Sequence, residues 1–254
     1  MGHTGTAGAG TGREALAAWL VFRTEYAEIL YPMERKREPE LMVEDAQARA
    51  YAEADFNDPH GGYVTLFKEA FGDRGISGYV LDLGCGPGDI TFRFARAFPG
   101  CTVHGVDGSE AMLGFGWRQL TASPELQGNV ELFTGMVPGA ELPRERYDAI
   151  ISNSLLHHLP RPAVLWDEVK LRGKPGAPVF IMDLRRPGSR EYARLLVDRH
   201  AGSEPEILHR DFYNSLLAAF RVEEVHKQLE KAGLDAFTVK ETGDRHLIIS
   251  GLLP

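Results

Sequence analysis

From residue 78 onward, apolar positions fall alternately into short unbroken runs and into stripes spaced three or four residues apart, the pattern of strands alternating with helices. The runs predict strands over residues 79–83, 101–106, 130–133, 147–152, 178–184, 236–240 and 246–250. The stripes predict helices over 89–98, 109–120, 162–172 and 222–232. In the first helix Ile90, Phe94, Ala97 and Phe98 share one face, and Pro99-Gly100 stops it. In the third, Pro162 occupies the first turn and Gly173 lies just past the last. Strands and helices in alternation imply a parallel sheet covered on both faces. The final two strands, joined by the turn-like "ETGDR" with no helix between them, should run antiparallel.

Upstream the spacing is helical only. Leu16, Trp19, Leu20, Tyr26 and Leu30 predict a helix over 13–31 that Pro32 ends. A charged stretch over 34–44 leads to a helical segment over 47–55, and a third helix begins near Tyr63. Residues 1–12 are mostly Gly, Thr and Ala and should form a disordered tail.

Composition narrows the field. A chain of 254 residues, 43% hydrophobic and 25% charged, suffices for one large globular domain with a sizeable core. A net charge of −8 argues against a broad nucleic-acid-binding face. No apolar stretch approaches the ~20 residues needed to span a bilayer, and no charged-then-apolar signal opens the chain. "MGHTGT" matches the myristoylation pattern only formally. Cys85 and Cys101 lack metal-type spacing and fit a reducing interior, so a cytoplasmic protein is expected.

The chemistry gathers in "VLDLGCGPGDIT", residues 80–91, where a strand dives into a glycine turn that opens a helix. In open α/β sheets ligands bind at such turns. Gly84, Gly86 and Gly88 permit positive φ and a ligand against bare backbone. Dinucleotide sites show GxGxxG with the pyrophosphate on the helix N-terminus. Here the spacing is GxGxG and Asp89 stands where the third glycine would be, a carboxylate that repels pyrophosphate but tolerates an ammonium. Asp107, at the end of the second strand, can accept from both hydroxyls of a ribose, or it can be a turn acid before the helix at Ser109.

In this order and spacing "VLDLGCGPGDIT", "VHGVDGSEAML" and "YDAIISNSLLHHLPRP" resemble the nucleotide-binding motifs of the class I S-adenosylmethionine-dependent methyltransferases, in the stand-alone small-molecule group called type 11 or type 12. The resemblance covers residues 63–184 and extends to Gly251 by topology. It implies a Rossmann-like seven-stranded sheet with the last strand antiparallel and helices on both faces. The chain then forms a single domain over 13–254, with an N-terminal helical lid over 13–75 and an inserted helical cap over 185–221. It also implies that Asp82, Gly84, Cys85, Gly86 and Gly88 surround the methionine part of the cofactor, Asp82 facing the ammonium. Asp107 would take the ribose; Gly108, Met112, Gly135 and Met136 would flank the adenine; Asn153 and Ser154 would lie beside the methionine tail; Tyr51 would fold over the cofactor. "TGMVPG" lacks the acid that the family often has near the adenine, which leaves backbone or the Thr134 hydroxyl for that contact.

Methyl transfer from a sulfonium needs alignment and dry surroundings, and a base only when the nucleophile must lose a proton. His157 and His158 follow the fourth strand and are candidate bases, His157 preferred from the resemblance; "HHLP" can equally be a packing element. Adjacent histidines should point different ways, so no metal site is expected. The stretch 185–221 is long for a connection and crowded with polar groups, among them Arg185, His209, Arg210, Tyr213 and Asn214, which could line a substrate cap or merely solvate a helical hairpin. The expected activity is methyl transfer to a small soluble metabolite, at oxygen or nitrogen, with no nucleic acid or membrane partner and homodimerisation left open. An NAD-dependent oxidoreductase, or a regulatory protein that binds S-adenosylmethionine without turnover, are the competing readings.

Overall fold

The computed structural model describes residues 33–38, 45–53, 61–72 and 75–254. The expected tail over 1–12 and helix over 13–31 lie outside the described residues. The strands are β1 (Gly78–Leu83), β2 (Cys101–Asp107), β3 (Val130–Thr134), β4 (Ala149–Asn153), β5 (Pro178–Leu184), β6 (Thr238–Thr242) and β7 (His246–Leu252). The helices are α1 (Asp45–Glu53), α2 (Tyr63–Phe71), α3 (Asp89–Ala97), α4 (Glu110–Thr121), α5 (Ala163–Arg172), α6 (Arg190–Ala201), α7 (Glu206–Ala218) and α8 (Val222–Ala232). The seven strands form one sheet in the order β3-β2-β1-β4-β5-β7-β6. β7 runs antiparallel to both β5 and β6, and the other pairs are parallel, as the helix-free connection requires.

Side-chain alternation along the strands divides the core into two layers. Val179 and Ile181 of β5 pack with Leu81, Ile150, Trp166 and Leu229 on one face. Phe180 and Met182 pack on the other with Val80, Phe92, Phe94 and Ile151. α2 seals this second face: the Phe67 ring meets Phe94 and Phe180 edge-on, with centroids 4.9 and 5.6 Å apart. The buried Tyr63 hydroxyl lies 3.0 Å from the carbonyl oxygens of both Ser152 and Phe180 and accepts from the Ser152 N–H at 3.3 Å, tying α2 to β4 and β5. A third cluster, including Leu196, Val197, Leu216 and Leu217, holds α6 against α7 within the stretch expected to be a cap.

Two strands, β4 and β6, start two residues later than expected for local reasons. Tyr147 donates its N–H to the Arg172 carbonyl at 2.7 Å, away from β1, and the paired residues of β4 start at Ala149. The Phe237 N–H is taken by Leu234 at 2.9 Å in the turn after α8, which delays β6 to Thr238.

Candidate active site

β1 sits where the strand order turns back, with β2 on one side and β4 on the other, and the loops from their carboxyl ends converge there. The N–H groups of Gly84 and Cys85 both donate to the Val106 carbonyl, at 2.9 and 3.1 Å. Gly84 and Gly86 have φ of 71° and 54°, and a Cβ on Gly84 would stand 2.9 Å from Leu155. Asp107 clips this turn to the next. Its Oδ2 accepts from the Gly86 N–H and its Oδ1 from the Ser109 N–H, both at 2.8 Å. Ser109 in turn caps α4, its Oγ accepting from the Met112 N–H at 3.2 Å. Both readings of Asp107 therefore coexist: it is a turn acid, and each oxygen retains a lone pair for a further donor. Burial holds its carboxyl above the ordinary range, although the Ser109 and Gly86 amides work against that.

Asp82, 1% exposed, accepts from the Thr91 hydroxyl through Oδ2 at 2.6 Å. Its Oδ1 is buried with no hydrogen-bond partner among the described residues. Burial pushes this carboxyl up to about 7, against the lowering effect of Thr91. A buried acceptor left open is costly unless something fills it.

These groups line a cavity of about 1330 Å³. Its wall brings together Tyr51, Asp82, Gly84, Cys85, Gly86, Asp107, Gly108 and Met112, with Gly135, Met136, Asn153, Ser154, His157 and His158. Burial, then the charges of Asp89, Asp107 and Asp183, raise the Tyr51 phenol well above its usual value. Gly88 is not on the wall. It is the left-handed N-cap of α3, at φ 89°, where a Cβ would lie 2.8 Å from the Phe92 ring, so its role is to let the helix start.

The expected substrate residues Arg185, His209, Arg210, Tyr213 and Asn214 are not on the wall either. Arg185 faces Glu241 at 3.3 Å, Arg210 faces Asp211 at 3.3 Å, and Tyr213 packs into the α6–α7 cluster. α7 instead presents Leu208, Asp211, Phe212 and Ser215 to the cavity.

Ser154, at φ 58°, bends the chain out of β4 in a conformation that non-glycine residues seldom adopt, and the next turn delivers the histidines. They do not point apart: the rings stack 4.0 Å centroid to centroid at 37°. His157, 2% exposed, donates through Nδ1 to Asp183 Oδ1 at 2.6 Å. Asp183 also accepts from the N–H groups of Leu156 and Leu184, each at 2.7 Å. Burial opposes charge on His157, but the Asp183 carboxylate, helped by Glu38, overcomes it and holds the imidazole pKa above its ordinary value. His158 pairs through Nδ1 with Glu38 at 3.0 Å. One ligand atom each of Glu38, His157 and His158 lie within 4.8 Å of one another. Nδ1 of each ring is paired with a carboxylate, which leaves the Nε2 atoms outside these pairs.

Asp183 and Glu38 were not anticipated from the sequence. Asp183 had a signal, an acid inside the apolar run "PVFIMDL"; Glu38, in an unpatterned charged stretch, had none.

Residues 80–176 match the family model described as a methyltransferase domain. The ubiquinone biosynthesis O-methyltransferase of Acinetobacter baumannii is 31% identical over 171 residues, which is 66% of either chain and so just under two thirds of that relative. A SAM-dependent methyltransferase from Aquifex aeolicus shares the fold at a TM-score of 0.60 and 20% identity, covering 83% of this chain and 99% of that one. A phosphoethanolamine N-methyltransferase 2 of Haemonchus contortus, in complex with phosphomonomethylethanolamine and S-adenosylhomocysteine, does so at 0.57 and 19%, covering 77% of this chain and 43% of that one. Residues 80–176 thus form a methyltransferase domain, set in a fold shared with S-adenosylmethionine-dependent methyltransferases. The dinucleotide alternative is not favoured, in keeping with the GxGxG spacing. The methyltransferase's own residues fit the family cofactor: the open Oδ1 of Asp82 suits an ammonium, the spare lone pairs of Asp107 suit hydroxyls, and a Cβ on Gly86 would come within 3.3 Å of Met112 and fill the cradle between them.

Proposed function

We propose that this chain transfers a methyl group from S-adenosylmethionine to an oxygen or nitrogen of a small soluble metabolite, His157 accepting the proton that the nucleophile gives up. The observation that carries this reading is the 2.6 Å pair between His157 and Asp183, both buried, His157 standing on the wall of the cavity that Asp82 and Asp107 also line. When bound, S-adenosylmethionine supplies a methyl group on a sulfonium, already an excellent leaving group. The protein then needs to align the nucleophile and exclude water, an effect worth up to ~7–11 kcal/mol, and to take a proton from a hydroxyl or ammonium, typically worth about 10²–10⁴-fold. With Nδ1–H donated to Asp183, the lone pair of His157 is on Nε2, and the carboxylate stabilises the imidazolium that forms. Below its pKa the ring is already protonated and cannot act. Because that pKa is raised above 6.5, turnover should fall with acid through a limb on the alkaline side of 6.5.

Among the described residues no helix is long and apolar enough to cross a membrane. The two cysteines are buried free thiols, which supports a reducing compartment, the cytoplasm on this reading. The test is incubation of the purified chain with methyl-labelled S-adenosylmethionine and a metabolite extract, followed by mass detection. Label should appear on a small acceptor, and His157→Ala should lower turnover with S-adenosylhomocysteine affinity retained. Binding without any labelled product would instead support a regulatory protein.

A further inference from the structure

The segment 33–38 carries no helix or strand, yet it is fastened across the histidine turn at several points. The Arg35 guanidinium donates to the His157 carbonyl at 2.9 Å, to that of Leu159 at 3.4 Å and to that of Ala218, and it lies over the Phe220 ring at 4.0 Å. The Lys36 N–H donates to the Leu217 carbonyl at 3.0 Å. Glu38, its side chain 7% exposed, takes His158 at 3.0 Å and accepts from the Ser215 hydroxyl at 3.2 Å. One six-residue stretch thus bridges the turn after β4 and the end of α7, the Arg35 bonds alone spanning sequence separations of 122 to 183 residues.

We propose that Arg35 and Glu38 are positioning residues of the methyltransferase site: docking of this segment sets the orientation of His158 and, through the stacked rings, of His157. This rests on the reading of His157 as the acceptor-side base and goes beyond it by making the N-terminal segment a part of that site. Three carbonyl oxygens at the ends of two elements need donors, and a planar guanidinium with five N–H groups can serve all three where a lysine could not. Glu38 gives His158 a fixed donor direction, just as Asp183 does for His157. The charged groups acting on the two rings come from every side: Asp183 from β5, Asp107 from the end of β2, and Arg35 and Glu38 from the segment itself. α7 adds the Ser215 hydroxyl.

The experiment uses the full chain loaded with S-adenosylhomocysteine, its histidine rings labelled with ¹⁵N, and follows ring tautomers and the His157 titration by NMR. In Arg35→Ala the hydrogen-bonded Nδ1–H signal of His158 should be lost although neither His158 nor Glu38 is changed, and Arg35→Lys should restore it only in part. Glu38→Gln, which keeps an acceptor and removes the charge, should move the His157 midpoint to lower pH. If both histidine signatures stay at their parent positions in Arg35→Ala and Glu38→Gln, with S-adenosylhomocysteine affinity retained, the proposal is overturned and the segment is packing only. Failure of the parent itself to bind S-adenosylhomocysteine would defeat the methyltransferase reading, a separate result seen in the same samples.

Discussion

Replacing Asp183 by Asn separates a base-orienting role from simple packing. In the native protein Oδ1 accepts from both His157 and Leu184, while Oδ2 accepts from Leu156. An asparagine can keep the first two only by turning its NH₂ toward the Leu156 N–H, donor against donor, at a site 1% exposed. The unpaired amide costs about 1–3 kcal/mol, and the bond to His157 loses its charge assistance, about a further 1 kcal/mol. The sum, roughly 2–4 kcal/mol, is a large part of an ordinary domain stability of about 5–15 kcal/mol. Urea unfolding at neutral pH should show it as a lower midpoint with unchanged slope. Kinetics provide the second readout. The carboxylate is what raises the His157 pKa, so in Asp183→Asn the acid limb of methyl transfer should move to lower pH and maximal turnover should drop. A variant that loses the expected stability but keeps the parent's acid limb would refute the base assignment. The sign for stability is fixed independently: a raised histidine pKa contributes stability that is complete below 6.5 and is lost as pH rises through the folded-state value, and Asp183→Asn should remove that dependence.

Burial pushes the Asp82 carboxyl up to about 7, so affinity for S-adenosylhomocysteine, whose ammonium favours the carboxylate, should rise from pH 6 to pH 8 by calorimetry, and Asp82→Asn should flatten the rise. Asp107→Ala removes a charged acceptor and the clip between Gly86 and Ser109; loss of one charge-assisted bond, about 1.5–3 kcal/mol, should weaken binding more than about tenfold, and calorimetric affinity equal to the parent's would contradict the ribose assignment. Tyr63→Phe strips the hydroxyl from buried partners on β4 and β5 and should lower stability by about 1–3 kcal/mol in urea melts without changing cofactor affinity.

Where periodicity and local turn chemistry decide the outcome, the chain announced its structure: 178–184 and 222–232 are the observed β5 and α8. The turn around Asp82, Gly84, Gly86 and Asp107 was legible too, because these residues lie at or just past the ends of β1 and β2, two elements close in sequence. The acceptor side was less legible, since it is built by long-range packing. Asp183 reaches His157 across 26 positions, and Glu38 reaches His158 from a stretch with no periodicity at all. On α7 the residue types were read correctly as polar, but the packing of Leu216 and Leu217 against α6 sets the helix phase, and that turned Asp211 and Ser215 inward in place of Arg210 and Asn214. Gly88 was grouped with its neighbours by spacing, although its task is to start a helix.

The strand order places Asp82 and Asp107 on the β1–β3 wing, and the histidine pair with Asp183 on the wing that begins at β4. A seam therefore runs through the middle of the protein between these two wings. The α6–α7 pair is held together by its own small core, which is joined to the sheet at Leu184 of β5.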